Sequence, residues 1–190
     1  METMELKTDS SQTNPIKLQM QEALLQLLTK KTIDQITIHE ITDLVYLNRT
    51  SFYRYYVDIY DLYYQLLDNF LLQFQQKISV ILQKLVEQHT LQAEDIPTEF
   101  FYHNQKFLQI LLRDATALER LKTQQKAYLK ELLHISEQDT LTDYRLEFFI
   151  SGQIGLISYW FQNQMSLPLS ELFNLTKTQL LDTLLTLRSQ

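Results

Sequence analysis

The side chains most able to do chemistry in this chain lie in one ten-residue stretch, LNRTSFYRYY, residues 47–56. Arg49, Thr50, Ser51, Arg54 and Tyr55 bring guanidinium and hydroxyl groups that can donate to phosphate oxygens and to base edges. Small polar residues among them let a helix lie close to a groove floor. The same residues would also suit a short solvated surface helix, and spacing alone leaves both readings open. Other chemistry has less to stand on. The four histidines, His39, His89, His103 and His134, lack ligand spacing and have no paired carboxylates, so no metal is expected. There is no cysteine, no nucleophile–base constellation and no glycine-rich phosphate loop, so the expectation is a protein that is not an enzyme and carries no cofactor.

Helical elements must position that stretch. Asn14-Pro15 reads as a helix start, with Asn as cap and Pro at the first helical position. Ile16, Met20, Ala23, Leu24, Leu27 and Leu28 then recur at helical spacing. Thr37 with Glu40 three residues on forms a capping box for a second helix, Ile38 to about Val45. Asn48 can cap a third, Arg49 to about Tyr56, and Asp58 a long fourth that runs towards Glu87. Two short helices joined by a tight turn, after a longer one, make a helix-turn-helix skeleton. On the third helix Phe52 and Tyr56 share an inward face with Leu47, which leaves the polar residues outward.

Composition agrees with an all-α fold. Two glycines and three prolines in 190 residues leave few breakers, and 45% hydrophobic content can fill a sizeable core. The net charge of −6 means that any nucleic-acid surface is local: between Lys30 and Arg54 four basic residues face three acidic ones. The N-terminal METMELKTDSSQTN lacks an apolar signal core and reads as a disordered arm, and no apolar run reaches the length of a membrane span. The expected setting is a cytoplasm, with no membrane partner.

The run Thr37–Val45, then Leu47–Tyr56, then Asp58–Leu62 resembles the N-terminal DNA-binding region of the TetR/AcrR family, over about residues 15–67. The resemblance implies a dimeric transcriptional regulator, usually a repressor, whose N-terminal helices grip a palindromic operator in double-stranded DNA. Its C-terminal helices would bind a small-molecule effector and pair with a second subunit. Carried over by position, Thr37 meets phosphate, Arg49, Thr50, Ser51 and Arg54 face the major groove beside the cap Asn48, and Tyr53 and Tyr55 clamp phosphates. Two positions depart from the family pattern: Tyr46 stands where Gly is usual, and Ile59 where a phosphate-contacting Lys is usual. The Asp58–Leu62 wording is similar to a subset that includes dihydroxyacetone-kinase regulators, some of which act through another protein. A TetR-like module that binds a protein partner instead of DNA is therefore the alternative.

The expected organisation is an arm over 1–13, a helix-turn-helix domain over 14–60, and a ligand-binding and dimerisation domain over 61–190, with about nine helices in all. Pro97 and Asn104 mark the starts of a fifth and a sixth helix, and later helices span Ala115–His134, Thr142 to about Gln164 and Ser170 to about Leu187. Phe70, Phe74, Phe101, Tyr102, His103, Phe107, Tyr128 and Phe148 are candidates to line an effector cavity, with core packing as the competing reading for each. FFISGQIGLISYWF, 148–161, is apolar nearly all round and must be covered on several sides. Ser151, Gly155 and Ser158, with Leu172, Leu180 and Leu184 of the last helix, are candidates for a dimer interface; the alternative is an internal core helix.

Overall fold

The computed structural model describes residues 14–136 and 139–188, with side chains left undescribed at Ala93 and from 180 onward. The expected arm over 1–13 and the side chains of Leu180 and Leu184 lie outside the described residues. Among those described, the fold is all-α: nine α-helices and two 3-10 turns, with no strand. The chain divides into two compact units, 1–71 and 72–190.

The first unit holds α1 (Pro15–Leu28), a 3-10 turn (Ile33–Gln35), α2 (Ile38–Leu44), α3 (Arg49–Tyr53) and the start of α4 (Ile59–Gln88). Each start is written in its cap. Asn14 Oδ1 accepts from Ile16 N–H at 2.9 Å, and Pro15 occupies the first turn, where no N–H is required. Thr37 Oγ1 accepts from Glu40 N–H at 3.2 Å, while Glu40 Oε2 accepts from Thr37 N–H at 3.0 Å. This reciprocal box satisfies two orphan donors at the head of α2. Met20, Leu24, Ile41, Phe52, Leu62 and Leu67 are fully buried and form this unit's core. The unit runs on to Leu71 rather than stopping near residue 60, and the early α4 residues Leu62, Tyr63, Leu66 and Leu67 are all buried.

The second unit begins inside α4 and continues through a 3-10 turn (Ala93–Asp95), α5 (Thr98–His103), α6 (Gln105–Leu111), α7 (Ala115–Leu133), α8 (Thr140–Gln162) and α9 (Leu169–Arg188). Asn104 stands at the α5–α6 junction, but its side chain donates back to the Phe100 carbonyl at 2.9 Å instead of capping α6. Phe74, Phe100, Phe101 and Phe173 meet at ring-centroid distances between 5.8 and 6.4 Å, which ties α4, α5 and α9 together. The α7–α8 pair is held by Glu147, which accepts from Lys122 at 2.8 Å and Lys126 at 2.9 Å, and by the Lys130–Asp143 ion pair at 2.8 Å. At the end of α8 the buried Trp160 donates from Nε1 to the Leu167 carbonyl at 2.8 Å and packs on Phe161 at 5.0 Å.

Candidate nucleic-acid interface and buried cavity

The turn between α2 and α3 sets the aim of the polar stretch. Leu47 N–H returns to the Thr42 carbonyl at 2.9 Å, which forces Tyr46 into the left-handed region with φ 55°. A side chain there is strained relative to glycine. Tyr46 is 96% exposed, so packing gives nothing back. Asn48 Oδ1 then accepts from both the N–H of Ser51 at 2.8 Å and its Oγ at 3.0 Å, starting α3.

From that cap α3 presents two faces. Phe52 and Tyr56 are buried and stack at 5.6 Å. Burial pushes the Tyr56 phenol up to about 12, so it stays neutral, and Lys17 Nζ sits 5.5 Å from its ring centroid. The other face carries Arg49, Thr50, Tyr53 and Arg54, all exposed. Neither arginine has an acidic partner among the described residues, so two cations stand free within six positions. The helix ends at Tyr53 rather than Tyr56, because Asp61 Oδ2 takes the Val57 N–H at 2.8 Å and begins the turn into α4.

Four of the eight residues expected at DNA, Thr37, Asn48, Ser51 and Tyr55, are already engaged. The Thr37 hydroxyl and N–H both bond Glu40. Lys31 and Thr37 together hold the Glu40 carboxyl down at about 2. The Ser51 hydroxyl donates to Asn48. The half-buried Tyr55 accepts from Asn14 Nδ2 at 3.1 Å through its hydroxyl oxygen. The Thr37–Glu40 and Asn48–Ser51 bonds are local caps that follow from sequence spacing, whereas the Tyr55–Asn14 bond spans 41 positions and residue type alone does not reveal it.

The second unit holds a partly open cavity of about 150 Å³. Its wall is built by Phe74, Ile78 and Ile81 of α4, Phe101 of α5, Leu108 and Leu111 of α6, Leu121 and Leu129 of α7, Ile150, Ile154 and Ile157 of α8 and Phe173 of α9. Two side chains of this wall are polar, Gln125 and Gln153. Of the eight expected lining residues, Phe74 and Phe101 face the cavity. The other six are not part of the wall. Phe70 belongs to the first unit. Phe107 is buried elsewhere in the core, Tyr102 packs against Trp160 at 6.2 Å, and His103 is exposed. The Tyr128 hydroxyl approaches the Ser79 carbonyl at 3.5 Å. Phe148 points away entirely, 84% exposed. A helix apolar on all sides hides which face is inner, so Phe148 was indistinguishable in the sequence from its neighbours Phe149 and Ile150, which do line the cavity.

On the outer side of α8, Leu141, Tyr144, Phe148, Gly152, Gly155 and Tyr159 follow one another in steps of three and four and are all exposed. A Cβ added at Gly152 or Gly155 would meet nothing within 4 Å. Of the other expected interface residues, Ser151 bonds Glu147 at 2.9 Å, Ser158 is half-buried, and Leu172 is buried within the unit's own core.

An all-helical chain with a capped helix pair in its N-terminal unit and a small apolar cavity among its later helices is the arrangement to compare with known folds. Residues 97–182 match the family described as "Transcriptional regulator C-terminal region", of the TetR type. The fold is similar to that of a TetR transcriptional regulator from Streptococcus agalactiae 2603V, with 21% identity, TM-score 0.60, and 87% of this chain and 93% of that one covered. It is equally similar to the fatty acid degradation regulator FadR from Bacillus halodurans, with 16% identity, TM-score 0.61, and 90% and 97% covered. No curated protein sequence matches the chain. The fold is that of TetR-type regulators, and residues 97–182 match the C-terminal region of that family.

Proposed function

We propose that the chain is an effector-responsive repressor that binds a palindromic operator as a homodimer, with α3 in the major groove. The observation that carries this reading is the exposed face of α3, where Arg49 and Arg54 stand without acidic partners among the described residues and flank Thr50 and Tyr53. Free guanidinium groups beside small polar side chains suit phosphate and guanine contacts. Dimerisation is supported by the outer stripe of α8. Glycine inside a helix costs about 1 kcal/mol relative to alanine, yet nothing within the protomer requires Gly152 or Gly155. Their use fits close approach by a second copy, with Tyr144, Phe148 and Tyr159 covered at the same time. A dimer would set two α3 helices about 34–36 Å apart along DNA. An effector bound preferentially to one of two conformations would shift that match. The chemistry described needs no catalytic group, and the expected setting is cytoplasmic.

Selection of bound sequences from random duplex DNA at two salt concentrations tests the reading, followed by Arg49→Ala and Arg54→Ala on the enriched site. The expected result is a palindrome, with each substitution lowering affinity by about 1–3 kcal/mol while melting temperature is unchanged. Enrichment without sensitivity to either arginine would remove α3 from the interface.

A second reading, capture of a protein partner by the first unit, is favoured by one observation. Leu44, Tyr46, Tyr53, Val57 and Tyr60 all expose large apolar surface there. A steep fall of DNA affinity with salt would count against it.

A further inference from the structure

The effector cavity, taken as read above, has a composition narrow enough to define what it accepts. Every ionisable side chain is absent from its wall; the polar members are the amides of Gln125 and Gln153. Gln125 is buried, and its Nε2 donates to Gln75 Oε1 at 2.8 Å. Gln75 Nε2 is buried in turn and has no acceptor among the described residues. The pair therefore carries one hydrogen-bond donor more than it uses. Turning both amides over preserves the bond between them with donor and acceptor exchanged, and moves the spare donor from Gln75 to Gln125, the member on the cavity wall. A buried donor without an acceptor is costly, so a guest that supplies one is favoured. A guest bearing a formal charge would lose its hydration and meet no countercharge. Size sets the other limit: an apolar cavity of about 150 Å³ holds one small ring, as an engineered cavity of that volume in another protein holds benzene.

We propose that the cavity is specific for a compact, uncharged, mainly apolar molecule of about one ring or a short alkyl chain, bearing a single hydrogen-bonding oxygen that the Gln75–Gln125 amide pair receives. This rests on the effector reading of the cavity and adds the chemical class. The pair's ability to exchange donor for acceptor means that an alcohol, a phenol or a ketone meets the same wall equally well.

Toluene, benzyl alcohol, benzoate and benzylammonium are suitable probes, being near-equal in size and different in charge and hydrogen bonding. Their binding to the full chain near neutral pH is read by saturation-transfer NMR and titration calorimetry. Benzyl alcohol is expected to bind most tightly, toluene next, and both ions at least about tenfold more weakly than the alcohol. Gln125→Met, near-isosteric and apolar, should bring benzyl alcohol down to the affinity of toluene and leave toluene unchanged. Gln75→Met is the second variant, expected to narrow the same preference should Gln125→Met fail to fold. Either ion matching the alcohol would overturn the class while leaving the cavity a binding site. An alcohol preference unmoved in both variants would overturn the role of the amide pair. No saturable binding by any probe would overturn the effector reading itself.

Discussion

Single residues decide how the α2–α3 turn works. Tyr46 adopts φ 55° in a place that offers it no packing, so the strain is uncompensated within the chain. Tyr46→Gly should stabilise the protein by about 1 kcal/mol, measured as a higher denaturant midpoint at unchanged slope. An unchanged or lower midpoint would mean that the tyrosine ring contributes to folding after all. Local signals of this kind were legible in the sequence. Asn14, Thr37 and Asn48 each cap the helix that residue type and spacing assign to them, because a cap depends on neighbours two or three residues away. The secondary engagement of Tyr55 was not legible, since its partner Asn14 is 41 positions distant.

At the scale of the element, capping has a measurable worth. The box at the head of α2 binds Thr37 and Glu40 reciprocally, so Thr37→Ala should cost about 1 kcal/mol of stability. Thermal unfolding of the variant beside Thr37→Ser, which keeps the hydroxyl, separates the cap from other effects of the site. Helix α8 shows where pattern reading ends. Its apolar residues form an inner face around Ile150, Ile154 and Ile157 and an outer one around Tyr144, Phe148 and Tyr159, and periodicity merges two such faces into one continuous run. The polar residue between them, Glu147, is held down at about 2, first by Lys122, then by Lys126 and Ser151. Its ionised form is thus favoured by folding. The stabilisation is complete above the ordinary value of 4.5 and is lost as pH falls from there towards about 2. Because the pair is partly solvent-exposed, the whole contribution is about 1 kcal/mol. Glu147→Gln should be less stable than the parent at neutral pH and should show a flatter decline in melting temperature through that acid window.

For the molecule as a whole, the proposed dimer rests on the exposed outer stripe of α8. Phe148→Lys replaces an exposed ring and removes no core contact, so the protomer should stay folded while sedimentation shows dimer converting to monomer. Retained dimer would place the interface on another face. The all-α class and the run of nine helices among the described residues followed from composition and caps. The boundary between units did not, because α4 crosses it without a glycine, a proline or any other break in its pattern.

The chain contains one tryptophan, and Trp160 lies buried at the end of α8 with its indole N–H bonded and Phe161 against its ring. Its emission is therefore a natural optical probe of the second unit. Excited at the red edge, where the eleven tyrosines absorb little, fluorescence follows the unfolding of residues 72–190, while far-ultraviolet dichroism follows the helices of both units. Coincident transitions would make the chain one cooperative system; separated ones would give each unit its own stability, with no label attached.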